Sequence, residues 1–369
     1  MIMENRLLTK KNTLMLHGIG ILMMIYHHLF ITGNTWYINQ GKSLFDLLDF
    51  LNFGKADTFQ LTFAWFCKIC VAIFAFTSGY AMYIQFDKRC KGKIKLKEMY
   101  LYCLKRFWSF YKKFFLCFIF FVSYDYLSGN QNGFDYSLIN YILNLLGIRA
   151  TYNGTWWYIL VYYYMILISP VVYILLNKMK FKHYLLFIII FIASLGIALI
   201  SGNFVPYLKM ISGFIQNYIT MYLIIFMEGM FCGKYPLIDM ISSKLNALTS
   251  ALLLLIVFVL RVLLIRAPSD SLFDLVLIVP FVISITKLFS YSEQLVKGLS
   301  FIGKYSSYMW YAHAYFYSYL FFNLVLKSDY SLFVYLQVVI YSLATAIIFT
   351  FIENKLDALF STNKQPTLH

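Results

Sequence analysis

The sequence predicts an all-α fold: a polytopic membrane bundle of about ten transmembrane helices, forming one domain over residues 1–369. Three observations predict it. Apolar runs near twenty residues recur from end to end, the length at which a helix crosses a bilayer. Charged residues make up 13% of the chain and hydrophobic ones 61%; soluble proteins carry roughly twice that charged share. Lys and Arg gather in alternate connections, the pattern that marks cytoplasmic loops.

Arg6, Lys10 and Lys11 place the N-terminus inside. Span 1 covers residues 13–31. It is too long and too rich in histidine for a signal-peptide core, and no small-residue cleavage site follows it, so it is read as retained. Residues 32–58 carry Asp46, Asp49 and Asp57 and suit the outer face, with 45–53 lying flat in the interface. Span 2, residues 59–86, ends in FAFTSGYAMY. The basic stretch 87–113 returns the chain to the cytoplasm, where it sets topology and meets anionic headgroups.

Span 3 covers 107–127, and 128–155 form an outer loop with a surface helix at 138–146. Span 4, 156–176, enters through Trp156, Trp157 and Tyr158, an interfacial aromatic belt, and leaves at Lys178, Lys180 and Lys182. Spans 5 to 8 cover 184–201, 218–231, 248–265 and 272–289. An amphipathic stretch, 290–300, lies along the inner surface. Spans 9 and 10 cover 306–326 and 332–352, and 353–369 form a short cytoplasmic tail. Both termini are then inside, with most of the 31 Lys and Arg on the same side. There is no internal repeat of the kind common in transporters.

The net charge of +15 does not indicate a nucleic-acid partner, because the basic residues sit between apolar spans. Of six cysteines, Cys67, Cys70 and Cys117 lie within spans and Cys90, Cys103 and Cys232 near the inner side. No histidine or acid stands near the pair at i, i+3, so free buried thiols are expected rather than zinc ligands or disulfides. No metal site and no permanently bound cofactor is expected.

Chemistry concentrates in LMLHGIGILMMIYHHLF, residues 14–30, which holds His17, His27 and His28. At about 100° per residue, His28 falls within roughly 20° of the face of His17 and roughly 16 Å further along the axis, while His27 sits roughly 80° away. Such rings must face protein or a wet cavity. Each has two readings: a ring bonded to a neighbouring backbone carbonyl, or a general base that activates a hydroxyl against an ester or thioester. Two adjacent rings, with a third on the face of one, favour the second.

Lys105, Arg106, Lys112 and Lys113 stand at the inner mouth of span 3. They either serve topology alone or hold the phosphates of a cytoplasmic donor such as coenzyme A. Ser78, Gly79 and Tyr80 read first as close helix packing. Lys68 reads first as a side chain that snorkels to the interface, and second as one that faces the cavity. Glu228 and Asp274 are sparse intramembrane acids, with Arg261 a possible partner for Asp274. His313, in YSSYMWYAHAYF, either lines the same cavity or is a packed ring.

Five segments, in order, resemble the acyltransferase-3 family of integral membrane acyltransferases: GIGILMMIYHHLF, VAIFAFTSGYAMY, LKRFWSFYKKFF, TWWYILVYYYMILISP and FIGKYSSYMWYAHAYF. Together they extend over about residues 13–320. The resemblance implies transfer of an acyl group, usually acetyl from acetyl-CoA inside, to an acceptor at the outer face of the plasma membrane. Surface polysaccharide, peptidoglycan, lipid-linked sugars and small molecules are the acceptor classes it implies. The family's basic residue and essential histidine, ten residues apart, map onto His17 and His28, so His17 departs from the usual Arg or Lys. The family's third-span Arg-x-x-Arg maps onto Arg106 and Ser109, where Lys105, Lys112 or Lys113 would substitute for the second arginine.

The resemblance thus implies His28, helped or replaced by His27, as base. It implies His17, Lys105, Arg106, Lys112 and Lys113 toward the acyl-CoA donor, and Ser78, Tyr80, Trp156, Trp157 and His313 toward the substrates. The composition, rich in Lys, Ile, Phe and Tyr, fits an AT-rich bacterial genome. A transporter or exporter of a glycan or acyl compound would explain the spans and intramembrane polar groups equally well, but not five family segments in order. A receptor or assembly subunit with a degenerate site is the third reading.

Overall fold

Thr9 opens the first helix, its hydroxyl accepting the Asn12 N–H at 3.2 Å as an N-cap. The structure, a computed structural model, describes residues 6–32, 56–91, 93–130, 132–182, 218–264, 273–325 and 331–362. Helix α1 (Lys10–His27) runs into a π turn, His28–Thr32. Next come α2 (Ala56–Cys67), α3 (Cys70–Cys90), α4 (Leu96–Leu127) and the short α5 (Leu138–Leu145). A 3₁₀ turn, Gly154–Trp157, leads into α6 (Tyr158–Lys178). Then follow α7 (Tyr218–Lys234), α8 (Leu237–Ser242), α9 (Ala247–Leu264) and α10 (Asp274–Phe289). Helix α11 (Glu293–Ala314) continues as a second π turn, Tyr315–Tyr319, before α12 (Phe322–Val325) and α13 (Ser331–Thr362).

No strand occurs among the described residues. Among the described residues, five stretches are long and apolar enough to cross a membrane: Lys10–Ile31, Thr62–Cys90, Leu96–Leu127, Gly154–Lys178 and Leu332–Leu359. Helices also occupy the expected spans 6 to 9. The expected span 5 at 184–201 and the interfacial turn at 45–53 lie outside the described residues. The fold is therefore all-helical, with several helices able to span a bilayer.

Three boundaries differ from expectation. Helix α4 begins at Leu96, so its basic residues lie within a helix rather than in a loop. The stretch 293–314 is one continuous helix, not a surface segment followed by a span. Helix α13 runs to Thr362, beyond the expected start of the tail at 353. Residues 353–359 contain no glycine or proline, and Lys112 of α4 bonds Glu353 at 3.0 Å and Asp357 at 2.6 Å, one turn apart on that helix.

Two close crossings hold the bundle. Helices α1 and α11 run parallel, and a Cβ on Gly18 would collide with the Leu299 carbonyl, while one on Gly303 would collide with that of Leu14. Helices α3 and α7 repeat this arrangement, with Gly79 against the Phe226 carbonyl and Gly229 against that of Phe76. Without a hydrophobic drive between helices in lipid, such backbone contact supplies the association. Gly303→Val is expected to lower stability by about 1–3 kcal/mol through overpacking, read as a fall in the thermal unfolding midpoint in detergent. An unchanged midpoint would mean that the two helices separate freely.

The expected second span is broken between α2 and α3. Lys68 N–H bonds the Trp65 carbonyl and Ile69 N–H that of Phe66, each at 3.2 Å. These i to i−3 bonds deprive the Ala64 and Trp65 carbonyls of their α-helical donors. Side chains from other helices replace them. His27 Nδ1 lies 2.8 Å from the Ala64 oxygen, and Arg261 Nη1 donates to the Trp65 oxygen at 2.7 Å. Arg261 is held in turn by Asp274 at the start of α10, through Nε at 2.9 Å and Nη2 at 3.2 Å.

Candidate functional site

The break and the glycine crossings leave a cavity of about 120 Å³ between α1, α3, α4, α6, α11 and the 3₁₀ turn. Its wall includes His17 from α1, His28 from the π turn that follows it, Ser78 from α3, Arg106 from α4, Trp157 from the 3₁₀ turn and Ser306 from α11. Five separate segments of the chain thus converge on one space.

At one level stands His17. Its Nε2 lies 3.0 Å from the Thr77 hydroxyl oxygen, and Thr77 itself donates to the Ile73 carbonyl at 2.7 Å. Because the threonine proton is committed, His17 Nε2 carries hydrogen and donates, which leaves Nδ1 as the lone-pair atom of the neutral ring. The ring packs on Phe74 with centroids 5.2 Å apart. Arg106 Nη2 donates to the Tyr162 hydroxyl at 3.0 Å. Among the described residues no carboxylate lies within ion-pair distance of Arg106, so its fork is not neutralised by an acid.

At the other end stands His28, where α1 passes into its π turn. His28 Nδ1 is 2.8 Å from His313 Nε2, and His313 Nδ1 is 2.7 Å from the Trp310 carbonyl. His313 is itself followed, after Ala314, by the π turn of α11. The aromatic entry to α6 is fastened here by two indole bonds. Trp156 Nε1 donates to the Tyr311 carbonyl at 3.1 Å, and Trp310 Nε1 to that of Thr155 at 3.2 Å. These bonds fix the turn that carries Trp157 to the wall.

The remaining residues singled out in the sequence lie elsewhere. His27 is turned to the Ala64 carbonyl. His313 is 0% exposed and stands behind His28 rather than on the wall. Trp156 is buried beneath the turn. The Tyr80 hydroxyl accepts from Arg6 Nη1 at 3.3 Å, away from the cavity. Lys112 is engaged with Glu353 and Asp357, Lys113 lies over the Tyr308 ring at 5.6 Å, and Lys105 is exposed and off the wall.

Thr155, Tyr158, Tyr162, Ser306, Ser307 and Trp310 line the cavity and were not singled out beforehand as site residues. Their signal was present in part. Ser306, Ser307 and Trp310 stand in the same quoted segment as His313, spaced so that 303, 306, 307 and 310 form one helical face with Gly303.

A bundle of apolar helices whose cavity is lined by two imidazoles, a guanidinium and several hydroxyls has the make-up of a membrane-embedded enzyme. The chain matches the acyltransferase-3 family model, described as an acyltransferase domain, over residues 15–353. It belongs to that family and is a membrane acyltransferase. No curated protein and no solved structure matches it.

Proposed function

We propose that the protein is an O-acyltransferase of the plasma membrane, ten-spanning with both termini cytoplasmic. It moves an acyl group, acetyl above all, from cytoplasmic acyl-CoA to a hydroxyl of a surface polysaccharide or lipid-linked glycan at the outer face. The observation that carries this reading is that one cavity joins His28 to Arg106, a cation with no carboxylate partner among the described residues.

In this reading Arg106 holds a donor phosphate, for which a planar fork is suited. His17 and Ser78 line the path of the uncharged thiol arm. His28 removes the acceptor's hydroxyl proton as that oxygen attacks the thioester carbonyl. The carbon–sulfur bond breaks, the new ester forms, and the proton passes to the leaving thiolate. The net change is acyl thioester plus alcohol to ester plus thiol. A narrow, largely apolar wall limits competing hydrolysis.

The test is release of free thiol by purified protein given acetyl-CoA, with and without candidate glycan acceptors. Acceptor-dependent release supports the proposal. No consumption with any acceptor overturns it and returns the export reading. Arg106→Ala is expected to raise KM for acetyl-CoA about 10–100-fold, the worth of a lost charged hydrogen bond, with a much smaller change in kcat. Steady-state kinetics check this, and an unchanged KM would remove Arg106 from the donor site.

A further inference from the structure

We infer that His313 is a positioning residue that sets which nitrogen of His28 acts as the base; this rests on the acyltransferase reading above. The argument runs along one chain of hydrogen bonds. The Trp310 carbonyl oxygen only accepts, so the His313 nitrogen 2.7 Å from it, Nδ1, must carry hydrogen. In the neutral ring Nε2 is then the acceptor. His28 Nδ1, 2.8 Å from that Nε2, must therefore be the donor. This assigns the hydrogen of His28 to Nδ1 and leaves its Nε2 as the lone-pair atom, on a residue that lines the cavity.

The two rings lie within 11° of parallel, and their nitrogens meet across the interface of α1 and α11. That interface is clamped lower down by Gly18 and Gly303, so the pair is held by backbone contact and does not depend on a substrate. His313 is 0% exposed and absent from the wall. It cannot touch a donor or an acceptor there; it acts through His28. When Nε2 of His28 takes the acceptor proton, its Nδ1–H remains bonded to His313, and the Trp310 carbonyl supports the charge from behind. His27 takes no part, since its ring is turned to the Ala64 carbonyl and its centroid lies 5.4 Å from that of His28.

Two variants and one spectrum test the inference. His313→Leu removes the acceptor for His28 Nδ1–H, whereas His313→Gln offers an amide oxygen in its place. His313→Leu is expected to lower kcat on the order of 10²–10⁴-fold, the range for a misoriented or wrongly protonated base. KM for acetyl-CoA should stay within about twofold, because binding of the donor is left intact. His313→Gln should recover at least a tenth of the lost rate. A kcat in His313→Leu equal to that of the unaltered protein, or a raised KM at unchanged kcat, overturns the inference. So does His313→Gln performing no better than His313→Leu.

Nitrogen-15 spectra of histidine-labelled, unaltered protein in detergent read the tautomers without any substitution. Nδ1–H on both His28 and His313 is the expected result, and Nε2–H on His28 refutes it. Should the unaltered protein consume no acyl-CoA with any acceptor, the acyltransferase reading fails, while the spectrum still decides the hydrogen-bond chain.

Discussion

His28→Ala is expected to lower acyl transfer by about 10²–10⁴-fold, the usual contribution of a positioned general base. The fall should appear in kcat per folded molecule, beside a modest fall in the thermal unfolding midpoint from the buried His313 Nε2 that loses its donor. Half-buried beside an open cavity, the His28 ring can be removed without emptying a packed core. His27→Ala should behave in the opposite way. It removes a bond to the Ala64 carbonyl, a buried acceptor at the helix break, at a cost of about 1–3 kcal/mol. Activity should then follow stability, with kcat per folded molecule largely kept. Acetylated acceptor measured for both variants, beside their unfolding midpoints, separates the two histidines. Undiminished transfer in both would end the proposal.

The largest loss of stability is expected from Arg261→Leu. Arg261 is 1% exposed and Asp274 0%, and the two share a bidentate contact. Removing the guanidinium takes from the buried Asp274 carboxylate the charge it is paired with, at a cost of about 3–5 kcal/mol. It also strips the Trp65 carbonyl of a charged donor at the break between α2 and α3. The double variant Arg261→Leu, Asp274→Leu should recover most of that loss, because replacing a whole buried pair by apolar residues is often neutral. Unfolding midpoints of the single and double variants check this. A single variant as stable as the unaltered protein would mean that the pair adds nothing to the break.

The sequence made the helical frame legible because apolar length reflects the bilayer directly. The shared face of His17 and His28 was legible too, since it follows from helical pitch alone, and both residues line the cavity. The division between His27 and His28 was not. It depends on a helix break at Lys68 and Ile69, where neither proline nor glycine marks the chain. The difference between Arg106 and its neighbouring lysines was likewise hidden. Four basic residues within nine positions look alike until α4 is packed, and then Arg106 faces Tyr162 while Lys112 faces α13. Trp310 shows a third kind of concealment: its carbonyl, which every residue possesses, orients His313, and no side-chain pattern announces that.

The two π turns carry a consequence for how the chain tolerates change in length. Each winds a wider loop of backbone than an α turn, one beginning at His28 and the other two residues after His313. Excising a single amino acid from either would return that stretch to ordinary pitch and leave the flanking turns close to their present phase, because the wide turn takes up one extra residue. A one-residue deletion should therefore be borne better within these two turns than inside α1 or α11, where it would rotate everything beyond it by about 100°.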